Sequence, residues 1–193
     1  MSYDIRIDNA TIIDGTGAPG YRGSVGISGG KIVALGKAPD DAASVIDGTG
    51  KIVAPGFIDI HTHYDAQIMW DRMLSVSPWH GVTTVLLGNC GFGIAPTRPE
   101  DRPLIVGTLE KVEGMSRAAL TAGLDTGGGD WSFESFPEYL DAIERRGIAV
   151  NVACYLGHSP LRVYVMGEEA MSREATDDEI DQMKTLLREA INA

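Results

Sequence analysis

Phe57-Ile58-Asp59-Ile60-His61-Thr62-His63-Tyr64-Asp65 runs from apolar residues into polar, chemically able ones, and its reading decides the fold. Residues two apart on a strand share a face, so His61 and His63 at the carboxyl end form a pair of imidazoles within reach of one ion. In α/β barrels that end of the strands carries the chemistry. Two histidines falling together in a loop by chance is the bland alternative. The strand context and the placing of two of the chain's four histidines in one tripeptide weigh against it.

Downstream, Asp65 to His80 could hold a helix, and VTTVLLGNC then forms an apolar run of strand length that ends at Cys90. Such a run suits a strand buried on both faces of a parallel sheet. Taken alone, Cys90 reads as a small buried hydrophobe. Beside a preceding strand that ends in His-Thr-His it reads as a thiolate ligand for zinc, with Gly88, Gly91 and Gly93 letting the backbone turn. Residues 100 to 124 read as helical in part, interrupted by Gly107, Gly114 and Gly123.

The spacing predicts a helix over 136–146: Ser135 and Glu138 form a capping box, Phe136, Tyr139, Leu140 and Ile143 mark one face, and Gly147 stops it. A buried strand, IAVNVACYLG, follows and leads to His158. That position suits a metal ligand or a substrate contact, and equally a satisfied structural histidine. Thr176 and Glu179 form a second capping box, with Ile180, Met183, Leu187 and Ala190 on one stripe. This helix is expected to run to Ala193 with no strand beneath it, which reads as an interrupted chain. Asp65 could orient an imidazole from behind. Cys154 reads as core, Glu113 as a solvated helix-end charge, and His80 as structural, since it precedes its strand at the amino end.

Upstream, residues 3 to 56 are short apolar runs punctuated by glycine: YDIRI, ATIID, GSVGIS, KIVALG, SVID, KIVAPG. With turn chemistry at Ser28-Gly29-Gly30 and Asp47-Gly48-Thr49-Gly50 they read as strands of a small β layer. Two regions follow, 1–56 and 57–193. The alternation of strand and helix in the second places the chain in the α/β class with parallel strands.

The chain has 193 residues and a formal net charge of −11, from 16 Lys plus Arg against 27 Asp plus Glu. That balance argues against nucleic acid and against anionic membrane surfaces, both of which need clustered cations. MSYDIRID has no apolar core of a secretory signal, and no stretch approaches a membrane span of about 18 apolar residues. Two cysteines do not make a disulfide framework. The cytoplasm is the expected compartment. A closed (β/α)8 barrel needs about 250 residues, more than this chain supplies.

The glycine-rich β layer ending in VIDGTGKIVAPGFIDIHTH resembles the opening of the metal-dependent amidohydrolase superfamily. HTHYDAQ, GVTTVLLGNCGFGIAP, VEGM, FESFPEYLDAIERR and YLGHSPLRVYVMG are similar to its N-acyl-D-amino-acid deacylase (D-aminoacylase) branch. The resemblance implies the N-terminal part of a TIM-like (β/α)8 barrel over 57–193, preceded by strands of a small β-sandwich over 1–56. It implies one or two zinc ions, with His61, His63 and Cys90 as metal ligands, and a small-molecule N-acyl amino acid as substrate. His158 falls in a matching motif without an assigned role. The further histidine ligands and the aspartate that acts as general acid/base are expected beyond residue 193, so this polypeptide alone is expected to have negligible deacylase activity. Two other readings compete: a dihydroorotase- or hydantoinase-like hydrolase of cyclic amides, whose lysine Cys90 replaces, and a non-catalytic zinc-binding module.

Overall fold

The computed structural model describes residues 2–126 and 131–193. The chain divides into two compact units, Met1–Gly56 and Phe57–Ala193.

The first unit is one five-stranded sheet. Strand β1 (Tyr3–Ile12) pairs antiparallel with β2 (Tyr21–Ser28), which pairs antiparallel with β3 (Lys31–Gly36). On its other side β1 pairs in parallel with β4 (Ala42–Asp47) and β5 (Ile52–Val53). Gly29 and Gly30 both take positive φ, 58° and 73°, as a two-residue hairpin turn requires. At the second expected turn, Asp47 Oδ1 accepts from the Thr49 N–H at 3.1 Å and its hydroxyl at 2.7 Å. YDIRI and ATIID, which read as separate strands, are one strand that bends. The register shifts between Ile7 and Ala10, and Asn9 at φ 59° absorbs the extra residue of the bulge. Tyr3, Ala10, Ile12 and Val25 are buried in this unit, while Ile32, Val45 and Ile52 are exposed.

The second unit holds three parallel strands in sequence order, β6 (Phe57–Asp59), β7 (Val82–Leu87) and β8 (Asn151–Cys154). Helices α1 (Arg102–Glu113), α2 (Arg117–Thr121) and α3 (Phe136–Arg146) lie between β7 and β8 in the chain. Helices α4 (His158–Met166) and α5 (Asp177–Ile191) follow β8. Val85 and Leu87 join Ile94, Ile105, Leu109, Leu120, Phe133 and Tyr139 in one apolar core. The other face of the sheet differs from the expectation of strands buried on both sides. In the register Ile58↔Thr84↔Asn151, the residues Ile58, Ile60, Asn151 and Ala153 are exposed. The described helices cover only the Val85–Leu87 face.

Helix α3 forms where its sequence signals place it. The Ser135 hydroxyl accepts from the Glu138 N–H at 3.3 Å, Glu138 Oε2 accepts from the Ser135 N–H at 2.9 Å, and Gly147 ends the helix at φ 66°. The box at Thr176 and Glu179 starts α5 in the same way, but none of the residues of α5 is buried.

A helix does not span Asp65 to His80. Two single 3-10 turns, Gln67–Met69 and Ser77–His80, replace it. The Asp71 carboxylate accepts from the Met73 N–H at 3.0 Å and the Ser75 N–H at 2.7 Å, offering the backbone a turn in place of helical bonds. In the 100–124 stretch Gly107 is tolerated inside α1, and Gly114 ends α1 at φ 66°. Cys154 is the last residue of β8 and packs against the apolar core, as expected. Among the described residues no helix is long and apolar enough to cross a membrane.

Candidate metal centre

The carboxyl ends of the three parallel strands lead into the segments 60–65, 88–93 and 155–158. Strand β6 stops at Asp59, short of the histidines, so the ladder does not align them as a strand would. One backbone bond, from the Thr62 N–H to the Leu86 carbonyl at 3.3 Å, continues past the strand, and side chains add to it. Asp59 Oδ1 accepts from the His61 N–H at 3.2 Å, and the Thr62 hydroxyl donates to the Leu86 carbonyl at 2.8 Å. The imidazoles still meet, with ring centroids 5.4 Å apart and planes at 62°.

Cys90 follows β7 in the single 3-10 turn Asn89–Gly91, with left-handed backbone, φ 57° and ψ 14°. Few non-glycine residues adopt this conformation. Gly88 precedes it at φ 74°, where a Cβ would run into the Tyr155 carbonyl, so only glycine fits. The turn brings Cys90 Sγ to 3.2 Å from His61 Nε2. One ligand atom each from His61, His63 and Cys90 lies within 4.8 Å of the others. His61 and Cys90 are exposed and His63 is half-buried.

Burial, then the neighbouring His61, hold the His63 imidazole below its usual pKa and favour the neutral ring that a metal ligand must be. Its Nδ1 is shut off from solvent without a hydrogen-bond partner. An unpartnered buried ring nitrogen beside a second imidazole and a thiol is a donor set suited to zinc, whose protein ligands are nitrogen and sulfur.

Asp65 does not orient an imidazole. Its side chain is buried, and Oδ1 accepts from the Gly88 N–H at 2.8 Å. Oδ2 has no partner, and the Asp65 carbonyl accepts from the Tyr139 hydroxyl at 2.9 Å. Desolvation pushes this carboxyl up to about 7, although the Gly88 N–H favours its charged form. Glu113 corrects a second expectation, because it is not solvated. At the end of α1 both its oxygens are closed off from water. Burial first, and then the field of Asp65, push it up to about 8, with the Ala66 N–H opposing. A carboxylate in the last turn of a helix opposes the helix dipole, and that was the available sign that Glu113 is held by something else.

His158 is exposed as the first residue of α4 and stands outside the converging trio. A Cβ on Gly91 would lie 3.6 Å from its Cβ, which puts it beside the cysteine turn. It also lines a groove of about 590 Å³ with Leu161, Arg162, Met183 and Leu187. Asn89, absent from the sequence reading, is bonded across the site. Its Nδ2 donates to the Leu86 carbonyl at 2.7 Å and to the Thr62 carbonyl at 3.2 Å. Asparagine beside glycines reads as turn chemistry, and nothing local shows that it reaches 27 residues back.

A model described as the amidohydrolase family matches residues 44–193. The chain is 39% identical over 190 residues to D-aminoacylase of Alcaligenes xylosoxydans xylosoxydans, covering 98% of this chain and 36% of that protein. It is 38% identical over 193 residues to N-acyl-D-aspartate deacylase of the same organism, covering 98% of this chain and 35% of that protein. Among solved structures it is similar to N-acyl-D-glutamate deacylase from Bordetella bronchiseptica, complexed with zinc and a phosphonate mimic of the tetrahedral intermediate. That similarity has a TM-score of 0.79 at 33% identity, covering 100% of this chain and 37% of that one. The chain thus spans about a third of the length of the curated relatives it matches.

Proposed function

Because this chain belongs to the amidohydrolase family, we propose that it carries part of the active site of a zinc-dependent hydrolase that splits N-acyl-D-amino acids into a carboxylate and a free D-amino acid. His61, His63 and Cys90 hold the metal. The observation that carries this reading is the convergence of these three side chains, with Cys90 Sγ 3.2 Å from His61 Nε2 at the carboxyl ends of parallel strands. Bound zinc supplies Lewis-acid polarisation of an acyl carbonyl and makes water acidic enough to ionise near neutral pH.

The chain's own residues do the rest of what can be assigned. His63 and His61 offer ring nitrogens, and the left-handed turn aims the Cys90 sulfur at them. In this reading the parallel strands of 57–193 are the first part of a TIM-like barrel, and the open Ile58, Ile60 and Ala153 face is the side that a closed barrel encloses. The sheet of 1–56 is part of a small β-sandwich. The cytoplasm is the compartment, and the partner is a small molecule.

The test is release of free amine from N-acyl-D- and N-acyl-L-amino acids by a protein carrying this chain. Turnover of the D series, lost on zinc removal and in His63→Ala, supports the reading. Turnover of hydantoins or dihydroorotate with none of the N-acyl-D series overturns it.

A further inference from the structure

Two ligand-bearing segments, 61–63 and 88–91, meet with no regular hydrogen-bond ladder between them, since β6 has ended and β7 has turned away. The turn carries Cys90 in a left-handed conformation that a cysteine keeps only where the surroundings fix it. Besides the approach of Cys90 Sγ to His61 Nε2 at 3.2 Å, two side chains cross the gap by hydrogen bonds to backbone. Asp65, two residues after His63, takes the amide of Gly88, two residues before Cys90, at 2.8 Å. Asn89, next to Cys90, reaches the carbonyl of Thr62, between the two histidines, at 3.2 Å, and also the Leu86 carbonyl at 2.7 Å.

The braces are themselves anchored. Asp65 is 1% exposed. The Tyr139 hydroxyl fixes its carbonyl at 2.9 Å, and a Cβ on Gly93 would lie 3.5 Å from its Oδ1. Each brace therefore couples the position of the thiol to that of the histidine pair, and neither contacts an imidazole through a hydrogen bond.

We propose that Asp65 and Asn89 are positioning residues for the Cys90 ligand: they lock the Gly88–Gly91 turn onto the His61–His63 segment, so that losing either brace loosens the sulfur and leaves the imidazoles in place. The proposal rests on the metal reading above. It depends on hydrogen bonds, so asparagine at 65, which can still accept from Gly88, keeps the brace, whereas alanine does not. Aspartate at 89 loses the donor that serves two carbonyls.

The experiment loads the protein and its Asp65→Asn, Asp65→Ala, Asn89→Ala and Asn89→Asp variants with cobalt(II), reading the thiolate-to-cobalt absorption band. Zinc affinity is measured by chelator competition, and circular dichroism establishes that each variant is folded. We expect Asp65→Ala and both Asn89 variants to weaken zinc by about 10–100-fold and diminish the thiolate band, with Asp65→Asn within about threefold of wild type. Should Asp65→Ala fail to fold, the Asn89 variants and Asp65→Asn decide the matter. Folded Asn89 variants with wild-type affinity and band overturn the proposal, as does an Asp65→Asn variant that loses zinc like the Asn89 variants. A wild-type protein with no thiolate band overturns the metal reading itself, a result separate from these.

Discussion

Arg173 reaches Glu169 at 2.8 Å and Glu179 at 2.6 Å at the surface before α5, whereas Asp65, two residues after His63, and Glu113, within its field, are shut off from water with no cation among their described partners. The same residue types go in opposite directions. Hydrogen bonds from Arg173 and the Thr176 N–H bring Glu179 down to about 2. Desolvation takes Asp65 up to about 7 and Glu113 up to about 8. A carboxylate at a helix start in water organises local structure at little expense. A carboxylate taken out of water without a counter-charge works against the fold, and Asp65 and Glu113 both do so.

The contrast can be broken most severely at Gly88. Gly88→Ala drives a Cβ into the Tyr155 carbonyl at φ 74°, so a loss of about 3–4 kcal/mol in urea unfolding is expected. A loss below about 1 kcal/mol would mean that the turn is not held as described.

Glu113→Gln sharpens the buried side of the contrast. The folded chain keeps a proton on Glu113 from the ordinary value of 4.5 up to about 8, while the unfolded chain has released it. The folded form thus binds more protons across that window, and stability falls as pH rises through it. Replacing the carboxyl removes this slope, with a gain of about 4 kcal/mol at pH 8 relative to wild type and little change at pH 4. Urea midpoints at the two pH values check it.

The smallest effect belongs to the exposed cluster. Arg173→Ala is expected to lower the thermal midpoint slightly at low salt, and the difference should vanish in 1 M NaCl, because these charges are screened. An undiminished effect in high salt would place the cluster in a less exposed setting than the structure does.

Local chemistry in the sequence was enough to place α3 and α5, since Ser135 with Glu138, Thr176 with Glu179, and Gly147 each act within one helical turn. It was enough for the hairpin at Gly29-Gly30 and for singling out His61, His63 and Cys90 as side chains that the fold brings together. It failed where the deciding partner is distant or competing. Asp71 captures two amides and abolishes the helix expected over 65–80. Asn89 bonds to Thr62, and Asp65 to Gly88 in place of an imidazole, contacts that only the folded sheet creates. Glu113 was misread because the packing that hides a helix end is absent from the helix's own pattern. What covers the Ile58, Ile60 and Ala153 face is not legible in the strands themselves, since an apolar run states that a strand can be covered and not what covers it.

Everything proposed here for the site depends on His61, His63 and Cys90 holding one zinc ion together. Zinc-edge X-ray absorption of the zinc-loaded protein tests it most directly, because sulfur and imidazole scatter differently. One sulfur at about 2.3 Å together with imidazole nitrogens at about 2.0 Å is expected, the sulfur shell disappearing in Cys90→Ser and imidazole scattering falling in His61→Ala and His63→Ala. A shell of oxygen and nitrogen alone in the wild-type protein, or a sulfur shell that survives Cys90→Ser, would contradict it.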